Sequence, residues 1–256
     1  MNIKVIGVEH DSGAKLVRML TSKHEVGVIL CATPLFDLAG QQPLRMSPDQ
    51  WLGAGASSCV TLSLTDQAAL AQSFTGVDAL AIMLGRPSTD PAPYVGAMAT
   101  IIAAAHNRVK RFVMLSDLGA SDPQDNEWLQ ALARVEGMVA STGMDTTVIR
   151  TALTLDDSDP LTRLIAAGQV RDLGGTHYPI TSGDVAGAVW MALHDRPHLG
   201  RTQVIGLAGD TPVATGDLHT ILPPTTQPGP GVNLPPSVAD WFNRTHTPPP
   251  GSVIVH

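Results

Sequence analysis

Charged and aromatic residues are both scarce in this chain of 256 residues. Charged residues make up 15% of it and aromatic residues 4%, whereas hydrophobic residues make up 43%. Such a composition excludes a disordered protein and leaves Ala, Val, Leu and Ile to fill a sizeable core. The net charge of −7 argues against a general nucleic-acid surface, because phosphate backbones are bound by basic faces. The length predicts one domain, with room for a small additional lobe.

Cysteines and long apolar runs are also lacking. The two cysteines, Cys31 and Cys59, have no metal-ligand spacing, so we expect neither a disulfide scaffold nor a metal site. Residues 1–7 form too short an apolar run for a signal peptide, and no stretch approaches the ~20 apolar residues of a membrane span. We therefore expect a cytoplasmic protein that acts on a small molecule, without nucleic-acid or membrane partners. The sequence does not determine the oligomeric state.

Short β-branched runs alternate with helical stretches over the first 150 residues. Strands are predicted at 3–8, 26–31, 59–62, 79–84, 111–116 and 146–150. Runs that are apolar throughout indicate strands buried on both faces, which is typical of a parallel sheet with right-handed crossovers. The predicted fold class is α/β, a Rossmann-like doubly wound parallel sheet with a small C-terminal substrate lobe.

The pattern also suggests domain limits. We predict a Rossmann-like domain over 1–150, a substrate lobe interleaved with the sheet over 151–222, and a tail over 223–256 that holds nine of the 20 prolines. Segment 34–58 is unusually long for a connection in such a fold. Its Ser47-Pro48-Asp49-Gln50 run is a capping-box signature, which predicts a short helix around Trp51. Because the segment is rich in apolar residues, it could close over the site as a lid.

Four segments share their order and spacing with a known family. They are Gly76–Ala79, Val109–Ser116, Ser141–Arg150, and Tyr178–Ile180 followed by Asp184–Ala186. Together they resemble the NmrA-like atypical short-chain dehydrogenase/reductases over roughly residues 1–210. The resemblance implies a Rossmann-like sheet, a small C-terminal substrate lobe and, in many members, NAD(P) in the crevice between them.

The turn after the first strand departs from this family. Dinucleotide binding uses a glycine-rich turn, so that the backbone can approach the pyrophosphate at a helix N-terminus. Here the first and third glycines are Gly7 and Gly13, but His10 replaces the middle one between the acidic Glu9 and Asp11. Two carboxylates would repel a diphosphate. A carboxylate at the helix N-terminus would also accept hydrogen bonds from the backbone N–H groups that the phosphate needs.

Three further positions depart from the family pattern. Thr33, after the second strand, is neither the acidic residue typical of NAD binders nor the basic one of NADP binders. Ser63 replaces the aspartate that the family usually has after the third strand, and Trp128 stands at the position of the catalytic tyrosine. We therefore expect no cofactor. If NAD(P) does bind, the residues to hold it are Gly7, Gly13, Thr33 and Ser63.

Ligands of open α/β sheets bind beyond the carboxyl ends of the strands, and several polar residues are predicted there. His10, Glu9, Asp11 and Asp117 are the predicted acid/base residues, because a histidine beside carboxylates can transfer protons at neutral pH. The alternatives are that Asp11 or Ser12 caps a helix beside a space-filling His10, and that Asp117 is a solvated loop residue. The predicted substrate pocket consists of Ser116, Trp128, Arg86, Tyr178 and Trp51, although Trp128 has the spacing of a core residue. Arg150 is expected to pair with Asp117 or Glu136.

These observations favour a non-redox enzyme of the cyclase, isomerase or dehydratase type. It would act on a largely apolar substrate by positioning and proton transfer. The first alternative is an NAD(P)H-dependent oxidoreductase of the atypical short-chain dehydrogenase/reductase type. The second is a non-catalytic regulatory sensor resembling NmrA.

Overall fold

A computed structural model describes residues 1–33, 46–84, 90–155, 160–167, 174–195, 201–222, 239–240, 248 and 250–255. The strands are β1 (Asn2–Ile6), β2 (Glu25–Cys31), β3 (Ser58–Leu62), β4 (Ala79–Ile82), β5 (Arg111–Asp117), β6 (Asp145–Thr151), β7 (Thr154–Leu155), β8 (Thr176–His177), β9 (Ile180–Thr181), β10 (Thr202–Gly209), β11 (Val213–Ala214) and β12 (Val253–Val255). An eight-stranded sheet has the order β12-β10-β6-β5-β4-β1-β2-β3, and its neighbouring strands pair in parallel.

Helices cover both faces of this sheet. They are α1 (Asp11–Thr21), α2 (Pro48–Gly53), α3 (Gln67–Ser73), α4 (Ala92–Ala105), α5 (Glu127–Ala140), α6 (Pro160–Ala166) and α7 (Ser182–His194). Helices α1 and α7 pack together on one face, and α3, α4 and α5 pack in sequence on the other. The prediction of a Rossmann-like, doubly wound α/β fold is therefore confirmed.

The central strands are buried because apolar side chains point to both faces. All four residues of β4 and all seven of β5 are buried. Within the sheet, β2 and β3 lie on one side of β1, and the chain then returns to place β4 on the other side of β1. Ligands of open α/β sheets bind at such a reversal of strand order, so the topology places the crevice at the carboxyl ends of β1 and β4.

Side-chain caps explain where most of the flanking helices begin. Asp66 accepts a hydrogen bond from the Ala69 N–H at 3.0 Å, and Asn126 accepts one from the Leu129 N–H at 2.9 Å. Thr181 and Asp184 form a capping box at the start of α7. At helix α1 the N-cap residue is His10, and its side chain makes no capping hydrogen bond. The alternative in which Asp11 or Ser12 caps this helix is therefore wrong.

The predicted short helix around Trp51 is present as α2. Ser47 and Gln50 form the capping box that the sequence indicated. However, the Trp51 side chain is 1% exposed and lies in the core with side chains of α1 and β2. Assigning Trp51 to the substrate pocket was therefore wrong, and in residues 46–58 the segment packs against the sheet rather than over the crevice. Residues 34–45 of the suggested lid lie outside the described residues.

The C-terminal part both extends the sheet and adds small elements beside it. Strand β10 joins the main sheet, whereas β7 pairs with β9 and β8 pairs with β11 in two-stranded sheets. Strand β12 belongs to the proline-rich tail and pairs with β10, a contact that the composition did not indicate. The domain limits at 150 and 222 stay a prediction.

Candidate functional site

The turn that leaves β1 lies directly against the end of β4. Gly7 has a φ of +84°, and a Cβ atom there would lie 2.9 Å from backbone atoms of Met83 and Leu84. A side chain would be strained by the backbone conformation and would also collide with β4. Glycine is therefore required at this position.

Close packing also explains Gly13 in the first turn of α1. A Cβ atom at Gly13 would lie only 2.6 Å from the Cα atom of Val8. The helix can therefore approach the end of β1 only with glycine at this position. In dinucleotide-binding turns, the first and third glycines have these same two purposes, the tight turn and the close helix packing.

Helix α1 begins at the crevice, and the side chain of its N-cap residue, His10, makes no capping hydrogen bond. The first N–H groups of a helix point along its axis and carry a partial positive charge, which makes them a site for phosphate. The two glycines and this 11-residue helix together fit the diphosphate of a dinucleotide. At the middle position of the turn, the fit depends on the side chain of His10.

His10 is buried, with 4% of its surface exposed. Its φ of −109° and ψ of 155° are extended values that any residue can adopt. The backbone therefore does not require glycine here, and the difference from a standard turn is the volume of the imidazole.

Asp11 is bonded to groups of α1 and α7. Its Oδ2 atom lies 2.7 Å from Lys15 Nζ and accepts a hydrogen bond from Ser182 Oγ at 2.6 Å. Burial acts to raise the pKa of Asp11, but hydrogen bonds from Lys15 and Ser182 outweigh it, so the pKa is lowered. The charge that was expected to repel phosphate is therefore compensated by Lys15.

Glu9 reaches in a different direction, toward the ends of β2 and β3. Its Oε1 atom accepts a hydrogen bond from the backbone N–H of Cys31 at 3.2 Å, and the residue is 7% exposed. Burial raises the pKa of the Cys59 thiol, and the nearby charge of Glu9 raises it further. The sequence placed Glu9, His10 and Asp11 in one acid/base cluster, but the structure directs the two carboxylates to different elements.

Ser116 belongs to a buried ionic network at the ends of β5 and β6. Its Oγ atom donates to Glu136 Oε1 at 2.5 Å, and Arg150 Nη2 donates to Glu136 Oε2 at 2.6 Å. Of the two partners expected for Arg150, the structure shows Glu136. Because its hydroxyl is bonded inside the protein, Ser116 acts in packing rather than as a pocket surface.

Asp117 ends β5 at the carboxyl edge of the sheet. Its Oδ1 atom accepts a hydrogen bond from the Gly119 N–H at 2.7 Å, which begins a 3-10 turn at Leu118–Ser121. Only 7% of the residue is exposed, so the alternative of a solvated loop aspartate is wrong. Its role in proton transfer stays a prediction.

The remaining predicted residues are distributed between core and surface. Trp128 is fully buried with its ring centroid 5.0 Å from that of Tyr94, so it is a core residue and no pocket wall. Tyr178 is half-buried and packs against a small cluster next to Leu118. Thr33 and Ser63 are exposed just beyond the ends of β2 and β3. Arg86 lies outside the described residues.

Two interactions at the crevice were missed in the sequence, namely the Lys15–Asp11–Ser182 contact and the bond from Cys31 to Glu9. The first had one local signal, since Asp11 and Lys15 have the i,i+4 spacing of a helical ion pair. The second joins the β1–α1 turn to β2 and had no local signal. Within the described ranges, we find no group of three or more side chains suited to a metal ion. No helix in those ranges is long and apolar enough to cross a membrane.

The fold and the turn define a Rossmann-like, dinucleotide-type scaffold, and comparison with protein families agrees. Residues 47–196, more than half of the chain, match a family described as NAD(P)H-binding. The chain therefore belongs to this NAD(P)H-binding family, as a divergent NmrA-like member of the atypical short-chain dehydrogenase/reductases. The sequence matches no curated protein.

Solved structures with the same fold are distant in sequence. A nucleoside-diphosphate-sugar epimerase from Pseudomonas aeruginosa is 14% identical, with a TM-score of 0.65 over 85% of this chain and 75% of that one. The Bordetella bronchiseptica enzyme WbmH, in complex with NAD+, is 16% identical, with a TM-score of 0.66 over 86% and 79%. The dTDP-glucose 4,6-dehydratase DesIV from Streptomyces venezuelae, with NAD bound, is 16% identical, with a TM-score of 0.65 over 86% and 80%.

These comparisons correct the expectation about the cofactor. The expectation of a protein without a cofactor is wrong, because the family is NAD(P)H-binding and similar structures contain NAD. They also favour the alternative of an NAD(P)H-dependent oxidoreductase over the non-redox interpretation. The carboxylates of Glu9 and Asp11 were expected to face the phosphate, whereas their partners lie on β2 and α7.

Proposed function

We propose that this protein is an NAD(P)H-dependent oxidoreductase that binds its cofactor at the carboxyl edge of the sheet. The single observation that carries this proposal is the β1–α1 turn. Gly7 and Gly13 bring the N-terminus of α1 to the point where the strand order reverses. The membership of an NAD(P)H-binding family supports the proposal, as does the fold shared with NAD-containing enzymes.

Each part of the cofactor would have its own protein partners. The N–H groups at the start of α1 would bind the diphosphate, and Gly7 allows the tight turn that places them at the end of β1. Thr33 and Ser63, exposed beyond β2 and β3, would face the adenosine half. When bound, NAD(P)H supplies the hydride of the reaction.

Asp117 is the residue that we propose for proton transfer to the substrate. It lies at the carboxyl end of β5, next but one to β1 in the sheet, and is almost entirely buried. Its bond to the Gly119 N–H fixes the orientation of the carboxyl group. The half-buried Tyr178 would contribute an apolar ring to the site of a small, largely apolar substrate.

Titration of the purified protein with NADH and NADPH tests this proposal. We expect binding to shift and enhance the fluorescence of the reduced nicotinamide. A His10→Gly variant restores the middle glycine and removes the imidazole volume, so its affinity for the dinucleotide should rise about tenfold, or ~1.4 kcal/mol. The matched control His106→Gly removes an exposed imidazole at the end of α4 and should leave the affinity unchanged.

The proposal fails if neither dinucleotide binds to the wild type or to His10→Gly at millimolar concentration while both proteins remain folded. Equal affinities of wild type and His10→Gly would show instead that the imidazole does not restrict the approach of the cofactor. Circular dichroism of each variant provides the check on folding.

A further inference from the structure

The residues that follow β2 do not account for a choice between NAD and NADP. In Rossmann-like domains, an acidic residue near the end of β2 bonds to the adenosine ribose of NAD, whereas a basic residue accommodates the 2′-phosphate of NADP. After Cys31, this chain continues with Ala32 and Thr33. Its next acidic residue is Asp37, and its next Lys or Arg is Arg45. Neither type of residue therefore stands at the usual place.

Glu9 brings a carboxylate to the same place from a different element. It comes from the turn after β1, but its Oε1 atom is bonded to the backbone N–H of Cys31, the last residue of β2. Among the described residues, the structure shows no hydrogen bond to its Oε2 atom. A carboxylate oxygen can accept hydrogen bonds from hydroxyl groups, so Oε2 remains suited to a ribose diol.

The surroundings of Glu9 screen its negative charge only weakly. The residue is 7% exposed, so water screens the carboxylate weakly. The only hydrogen bond shown for Glu9 in the described residues comes from a neutral N–H, in contrast to Asp11, which is paired with Lys15. The pKa of the Cys59 thiol on β3 is raised mainly by burial and further by the nearby charge of Glu9.

We infer that Glu9 is the specificity-determining residue of this site, selecting NAD(H) over NADP(H). The inference rests on the proposed function and adds the cofactor class to it. The carboxylate would accept hydrogen bonds from the ribose diol of NAD. It would repel the 2′-phosphate of NADP, which carries up to two negative charges.

The affinities of NADH and NADPH, measured by fluorescence titration of the full chain, test this inference. We expect the wild type to prefer NADH by about tenfold or more, because like charges at short range repel strongly in a poorly solvated site. The Glu9→Gln variant keeps an oxygen that can accept the Cys31 N–H but removes the charge. It should bind NADPH more tightly and reduce the preference to about threefold or less.

A control from the same turn separates this role from a general effect of charge. Asp11→Asn removes a carboxylate only two residues away, but that carboxylate is directed to Lys15 and Ser182. The affinities of Asp11→Asn for NADH and NADPH should change by the same factor, so that their ratio stays at the wild-type value. ADP-ribose and 2′-phospho-ADP-ribose, titrated by calorimetry, should show the wild-type preference without a nicotinamide.

The outcomes distinguish this inference from the proposed function. If both dinucleotides bind the wild type equally, or if Glu9→Gln leaves their ratio unchanged, Glu9 does not select the cofactor although the protein still binds one. If neither dinucleotide binds, the proposed function itself fails. If Glu9→Gln does not fold, equal binding of the two dinucleotides by the wild type still overturns the inference.

Discussion

At the scale of single residues, two carboxylates at the carboxyl edge of the sheet have different surroundings. Glu136 accepts hydrogen bonds from Ser116 and from the guanidinium of Arg150, and these bonds are enclosed by the protein. Asp117 accepts a backbone N–H and lies at the end of β5. The Arg150 guanidinium holds Glu136 in a structural role, whereas the position of Asp117 suits it for contact with a substrate.

The Glu136–Arg150 pair leads to a prediction about stability. Glu136→Gln leaves the Arg150 guanidinium largely buried without a counter-charge, which should lower the free energy of unfolding by about 3 kcal/mol. Urea denaturation followed by circular dichroism measures the change. The exposed Glu127 begins the same helix, and Glu127→Gln should cost no more than about 0.5 kcal/mol. Equal effects of the two substitutions would contradict the structural role.

At the scale of secondary-structure elements, glycine has opposite consequences in two helices. Gly13 lies where α1 contacts the end of β1, whereas Gly137 lies on the exposed side of α5 with no atom near a Cβ position. The same substitution therefore probes close packing in one helix and helix propensity in the other.

We expect Gly13→Ala to destabilise the protein by about 2 kcal/mol, because the added methyl group would push α1 away from β1. Gly137→Ala should stabilise it by about 0.5–1 kcal/mol, since alanine loses less backbone entropy in a helix. Thermal denaturation of both variants measures these opposite changes in stability. Only Gly13→Ala should also weaken NADH binding, and a stable Gly13→Ala with unchanged affinity would refute the packing argument.

At the scale of the whole molecule, helices α1 and α7 are joined across 171 positions of the chain by Asp11 and Ser182. This contact connects the turn that would bind the diphosphate to the C-terminal part of the fold. It also makes stability depend on pH, because the pKa of Asp11 is lower in the folded protein than the ordinary value of 3.8.

The sign of this dependence follows from the lowered pKa. Ionised Asp11 stabilises the fold fully above the unfolded-state pKa of 3.8, and the contribution is lost as the pH falls through the lower folded-state pKa. Near pH 7 the free energy of unfolding of the wild type should exceed that of Asp11→Asn by about 0.5 kcal/mol. The difference is small because the Asp11–Lys15 pair is partly exposed, and it should vanish in strong acid. Urea denaturation between pH 2 and pH 7 measures it.

Asp125→Asn, which removes an exposed carboxylate, is the control for this pH series. Its unfolding free energy should follow that of the wild type across the whole range. If Asp11→Asn also follows the wild type, the contact between α1 and α7 contributes nothing to acid stability.

Local signals predicted the elements well and the site less well. The apolar runs at 26–31 and 111–116 correspond to β2 and β5, and the capping box at Ser47 begins α2. Trp51 and Trp128 were assigned to a pocket, but both lie in the core. A large aromatic residue has the same local signature in either place, and only the elements packed around it decide between them.

The sequence by itself determined the succession of strands and helices over the first 150 residues and the two glycines of the β1–α1 turn, because hydrophobic periodicity and backbone sterics act over a few residues. Only the tertiary structure decided where the charges of that turn point. Glu9 meets Cys31 on β2, and Asp11 meets Ser182 on α7. Side chains next to each other in the chain acquire their electrostatic surroundings from distant segments, and those surroundings exist only once the sheet and its helices have assembled.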